Sequence, residues 1–249
     1  MLSRLIELYF IGLLSLFPIV NPFSTIPLLL SLTPGADADE RDRLARRASR
    51  NVAVILIVSL VLGDVILGFF GISLPALRAA GGLVIAVIGM RMLFPSPESE
   101  LAAPSGRGQA DIALIPLALP SMSGPGSIAV VISWSAQIHE QTGVASRVVG
   151  YGIGIAVIVT AAILAWFVLR SSSTIARRLG DDGIESIKRL MGFLLVCIGV
   201  QFVATGVEGF IASAGGAGAR GTRLLRFPKY MTTFFVIGLS YPQYRYCEA

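Results

Sequence analysis

The feature that most constrains this chain is a series of six long apolar runs, at about 5–32, 52–72, 77–94, 112–138, 148–169 and 190–211. A helix rises 1.5 Å per residue, so about 20 apolar residues cross the roughly 30 Å hydrocarbon core of a bilayer. Only helices and closed barrels satisfy their backbone in lipid, and runs this long and unalternating are helical. The expected fold class is therefore all-α: a polytopic membrane protein with six transmembrane helices. Composition agrees, with 54% hydrophobic and 14% charged residues against about 25% charged in soluble domains. Soluble catalytic folds are excluded on this reading, and no enzyme is expected. The first run is too long for a signal peptide, is interrupted by Pro18, Pro22 and Pro27, and lacks a small-residue cleavage site. It is expected to stay in the mature protein.

Orientation follows from the cations. Arg41, Arg43, Arg46, Arg47, Arg50, Arg91, Arg107, Arg170, Arg177, Arg178, Lys188 and Arg189 fall in loops on one side of such a chain, against Arg4, Arg78 and Arg147 on the other. The positive-inside rule puts the first group in the cytoplasm and the N-terminus outside. The net charge of +5 is thus explained by membrane orientation, and no nucleic-acid partner is expected. Cys197 and Cys247 cannot build a Cys-rich metal site, and His139 is the single histidine. No metal, cofactor or catalytic residue is expected. His139-Glu140 opens like H-E-x-x-H, but position 143 is glycine; Gly216-x-Gly218-x-x-Gly221 follows a membrane helix rather than a strand.

The prolines carry a repeat. Pro18, Pro22 and Pro27 recur 98 residues later as Pro116, Pro120 and Pro125. Ala48-Ser49-Arg50 reappears as Ala145-Ser146-Arg147, and Gly82-x6-Gly89, preceded by Arg78, reappears as Gly192-x6-Gly199, preceded by Lys188. An insertion of about a dozen residues after run five accounts for the drift in offset. Each unit holds three spans, and two odd-numbered units in series enter the membrane with opposite orientation, as two inverted repeats do in secondary transporters. The expected organisation is a first transmembrane repeat at 1–97, a cytoplasmic linker at 98–111, a second repeat at 112–214 and a basic, Tyr-rich tail at 215–249. Gly82, Gly89, Gly192 and Gly199 read as packing between the third and sixth spans.

Runs one and four are too long for straight spans and carry the prolines, so the first and fourth helices are expected to be discontinuous, unwinding at 21–25 and 119–124. Non-helical backbone at that depth lines a cavity or is buried in protein, and such paired breaks point to a substrate site. The expected substrate-binding residues are Asn21, Ser24 and Thr25 in the first break and Ser121, Ser123, Gly124 and Gly126 in the second. A half-helix starting near Pro125 offers free N–H groups to a carboxylate, and unwound carbonyls can receive an ammonium. A small zwitterion fits; simple helix packing by these small residues is the alternative. Asp64, the one acid deep in an apolar run, is the expected ion-coupling residue, with a structural role the alternative.

V-N-P-F-S-T-I-P at 20–27, F-F-G-I-S at 69–73 with A-G-G at 80–82, and P-L-A-L-P-S-M-S-G-P-G at 116–126 resemble the MarC family of inner-membrane proteins over about residues 5–210. The resemblance implies a multi-pass protein of the cell inner membrane, grouped with transporters of small neutral amino acids such as glycine or alanine. It also implies a place for Pro22 and Pro125, with Asn21, Ser121, Gly124 and Gly126, around the discontinuous helices. The partners then expected are an amino acid, H+ or Na+, and the lipid bilayer, with a homo-oligomer left open. A channel, a membrane adaptor or a drug-related exporter is the alternative function.

Overall fold

The computed structural model describes residues 2–33, 35–94, 122–140 and 143–214. All regular structure among them is helical: α1 (Leu2–Val20), α2 (Pro22–Leu32), α3 (Ala38–Phe70), α4 (Leu74–Leu93), α5 (Pro125–Glu140), α6 (Val144–Arg170) and α7 (Ser172–Ala214). Among the described residues five stretches are long and apolar enough to cross a membrane: Ser3–Leu32, Ala38–Phe70, Leu74–Leu93, Val144–Arg170 and Asp182–Ser213. Of the expected fourth span, the part at 112–121 lies outside the described residues, as do Ser121, the 98–111 linker and the 215–249 tail.

The helices outrun the apolar runs. Arg41 to Arg50, expected in a loop, form the first turns of α3. The reason is local: the Asp37 carboxylate accepts the Glu40 backbone N–H at 2.7 Å, and Asp39 and Glu40 occupy the positive end of the helix. At the other end Gly71 takes φ 64°, and the bonds from Gly71 N–H to the Gly68 carbonyl and from Ile72 N–H to the Leu67 carbonyl close the helix as a Schellman motif. The extra residues after run five are helical too, and Gly180, at φ 66° and ψ −178°, interrupts α7 just before its span.

Around this frame the apolar surface faces outward. Val65, Phe69, Leu83 and Val200 are 59–84% exposed, a pattern a water-soluble surface rarely shows and lipid accommodates. The interior is built around α5, on which Ala129, Val130, Val131, Ile132 and Ser135 are all buried; α3, α4 and α6 pack against it. A helix buried on every side must be apolar or small all round.

The tightest seam joins α4 to α7, as the glycine spacing implied. A Cβ on Gly82 would lie 2.6 Å from the Gly199 carbonyl oxygen, and one on Gly199 would lie 2.6 Å from that of Gly82; Gly89 and Gly192 oppose each other in the same way, at 2.6 and 2.9 Å. Only glycine permits backbones this close, and in lipid such close packing, rather than water exclusion, drives association.

Candidate functional site

A helix break at Asn21 and the amino end of α5 open onto one cavity. At the first, Asn21 alone leaves the helix, with φ 43° and ψ 65°, and the helix resumes at Pro22. The expected unwinding of 21–25 is thus confined to a single residue. Asparagine is the side chain that best tolerates this left-handed conformation, and proline suits the first helical position because it lacks the N–H that would be unsatisfied there. Asn21 also caps α2, its Oδ1 accepting the Ser24 backbone N–H at 3.4 Å. Pro18 and Pro27 sit inside α1 and α2.

The second expected break, 119–124, lies partly outside the described residues; its end is in view at Gly124, and α5 starts at Pro125. It repeats the first in chemistry: N-P-x-S at 21–24 corresponds to G-P-x-S at 124–127. Ser24 Oγ donates to the Asn21 carbonyl at 2.9 Å, and Ser127 Oγ donates to the Gly124 carbonyl at 2.9 Å. The geometric partner of Pro125 is therefore Pro22 and not Pro27, which the 98-residue offset had matched to it.

Between the breaks lies a cavity of about 50 Å³, lined by Asn21, Ser24, Gly124, Gly126 and Ser127 together with Ile85, Ile88 and Met92 of α4, Ile19 of α1 and Leu195 of α7. None of these residues is charged. The amino ends of α2 and α5 both reach it, and each carries a partial positive charge from its aligned peptide dipoles. The polar wall can therefore hold a small anionic group, and the apolar wall a small aliphatic one. At roughly 10–15 Å³ per water centre, the space holds only a few non-hydrogen atoms.

The expected site residues divide accordingly. Asn21, Ser24, Gly124 and Gly126 line the cavity. Thr25 and Ser123, both fully buried, are not among the lining residues, and neither is the buried Pro22. Gly126 has a second reason to be glycine, because a Cβ there would lie 2.7 Å from Ile85 Cγ1. Ile85, Ile88 and Met92 were not foreseen as site residues; their i, i+3, i+7 spacing puts them on one helix face, but nothing in that spacing names the break they meet.

Asp64 lies elsewhere. It sits in the last two turns of α3, with its side chain 33% exposed, and its Oδ2 is 3.4 Å from Nδ1 of His139. Its backbone N–H donates to Ser135 Oγ at 3.2 Å, and nearby Arg78 Nε donates to Ser133 Oγ at 3.4 Å. From Ser127 to His139 is about 18 Å along α5 at 1.5 Å per residue, so this polar cluster does not touch the cavity. The pairing was not legible in sequence because 75 residues separate the partners.

Residues 6–211 match the family described as MarC family integral membrane protein. Relatives in Escherichia coli (strain K12) and Shigella flexneri, each called UPF0056 inner membrane protein MarC, are 42% identical over 205 residues, covering 79% of this chain and 92% of theirs. No solved structure matches the chain.

Proposed function

We propose that this chain, which belongs to the MarC family of integral membrane proteins, is an ion-coupled secondary transporter of a small neutral amino acid resembling glycine or alanine. The observation that carries the reading is the meeting of two helix amino ends, at Asn21 and Gly124, in one small uncharged cavity. The amino acid carboxylate fits against those ends and the Asn21 amide, and the wall of Ile85, Ile88 and Leu195 leaves room for a short aliphatic side chain. The carbonyls of Asn21 and Gly124 each accept a serine hydroxyl and that of Gly124 also the Ile128 N–H, so the acceptors that remain for an ammonium are the Ser24 and Ser127 hydroxyl oxygens on the cavity wall.

Alternating access fits two inverted repeats, 1–97 and 112–214. The support is the reciprocity of the α4–α7 seam: Gly82 meets Gly199 while Gly89 meets Gly192. The exchange that turns Gly82 into Gly192 and Gly199 into Gly89 turns the first contact into the second, as a two-fold axis requires. The test of function is counterflow in proteoliposomes loaded with glycine or alanine. Saturable exchange that fails with large or charged amino acids is expected; unsaturable flux would favour a channel, and no flux a non-transporting adaptor.

With the N-terminus outside, Thr174 faces the cytoplasm and Ser146 the exterior. In a Cys-free background, Ser146→Cys on intact cells is expected to react with an impermeant thiol reagent while Thr174→Cys is protected. The reverse pattern overturns the orientation.

Asp64 is the coupling residue in this reading, acting through the α3–α5 contact rather than on the substrate. Asp64→Asn keeps the shape and is expected to retain counterflow, which needs no net ion movement, while losing accumulation driven by a pH or Na+ gradient. Gradient-driven uptake that survives the change places coupling elsewhere.

A further inference from the structure

Asn21 holds its side chain in a fixed orientation. The residue is 3% exposed, its backbone is held left-handed between two helices, and its Oδ1 is engaged by the Ser24 N–H. That engagement settles which end of the amide is which and aims Nδ2 at Met92, whose Sδ accepts at 3.3 Å. A thioether is a weak acceptor. A carboxylate is a strong one, because its hydrogen bonds are charge-assisted.

Met92 is also the adaptable member of the α4 wall. Ile85 and Ile88 are branched at Cβ and stiff at χ1, whereas methionine is unbranched with three rotatable bonds. Its backbone has no such freedom, since a Cβ on Gly192 would lie 2.8 Å from Met92 Cβ and 3.3 Å from the Leu93 nitrogen. The α4–α7 seam thus anchors the base of the side chain and leaves its tip to move within the cavity.

We propose that Met92 is the specificity-determining residue of this cavity: its thioether and the carboxylate of a small amino acid compete for the Asn21 amide, and its volume limits the side chain the amino acid carries. The inference rests on the carrier reading and adds to it the group that the substrate must displace.

Three variants separate the two parts. Met92→Leu keeps the volume and removes the competing acceptor, so an amino acid that shows counterflow should bind about 3- to 10-fold tighter, the worth of one net hydrogen bond. Met92→Gln supplies a stronger competitor and should weaken binding by a similar factor of about 3 to 10. Met92→Ala should let larger aliphatic amino acids, such as valine and leucine, compete in counterflow. As a readout in the unaltered chain, the Met92 methyl resonance of methyl-labelled protein, identified by its loss in whichever variant folds, should shift when that amino acid saturates the site. Equal affinities in the leucine and glutamine variants, or an unmoved resonance while counterflow proceeds, would overturn the proposal. Absence of counterflow for every amino acid in the unaltered chain fails the carrier reading itself, and is told apart by needing no variant.

Discussion

Gly199→Leu is expected to destabilise the folded protein by roughly 3 kcal/mol or more, above the usual range for overpacking because the obstructing atoms are backbone. A Cβ at this position would lie 2.5 Å from the Ala86 nitrogen, 2.6 Å from the Gly82 carbonyl oxygen and 2.8 Å from Ala86 Cβ. No rotamer change relieves contacts that begin at Cβ, so α4 and α7 would have to separate. Gly152→Leu is the control: Gly152 is in α6 and a Cβ there meets nothing within 4 Å. That change should be neutral or stabilising by up to about 0.8 kcal/mol, the helix-propensity gap between glycine and leucine. Thermal unfolding in detergent, followed by the loss of the monodisperse peak, measures both. Equal losses from the two changes would remove the seam from the account of stability.

The second large effect concerns the cavity. Ser24→Phe is expected to lower affinity for a transported amino acid by at least about 100-fold, or about 2.8 kcal/mol. The ring would fill a space of about 50 Å³ and remove the hydroxyl bonded to the Asn21 carbonyl. Ser31→Phe, an equally bulky change at an exposed position of the same helix, should bind as the unaltered chain does. Calorimetric titration decides, and a Ser24→Phe protein with unchanged affinity would show that the amino acid binds elsewhere.

What the sequence displayed plainly were features whose physics is local or periodic. The long apolar runs, the glycines seven apart on two helices, and the proline after each break all act within a turn or two of where they stand, so their consequences could be read from spacing. The register of the breaks was harder. Six prolines in matched spacing favour an offset of 98, but Pro18 and Pro27 lie inside helices, where a membrane protein tolerates them if the freed carbonyls find other partners. What the geometry aligns instead is the short N-P-x-S and G-P-x-S pair, where Ser24 and Ser127 make the same bond. Shared letters do not reveal which proline starts a helix. Tertiary neighbours were hidden for a different reason: Met92 meets Asn21, and Asp64 meets His139, across 71 and 75 residues, and only the packing of separate helices brings them together.

The α4–α7 seam has a further consequence, for biosynthesis. Gly82 makes its close contacts with Gly199, Phe202 and Val203, and Gly89 with Gly192 and Val196, all of which lie more than a hundred residues later in the chain. At about 5–20 residues per second, roughly 5–20 s pass between synthesis of the first pair and arrival of the second. During that interval α4 carries an open groove, bare of side chains, along a membrane helix whose partner does not yet exist. A groove of that kind admits a small-residue helix and no other, because only small residues let two backbones approach so closely.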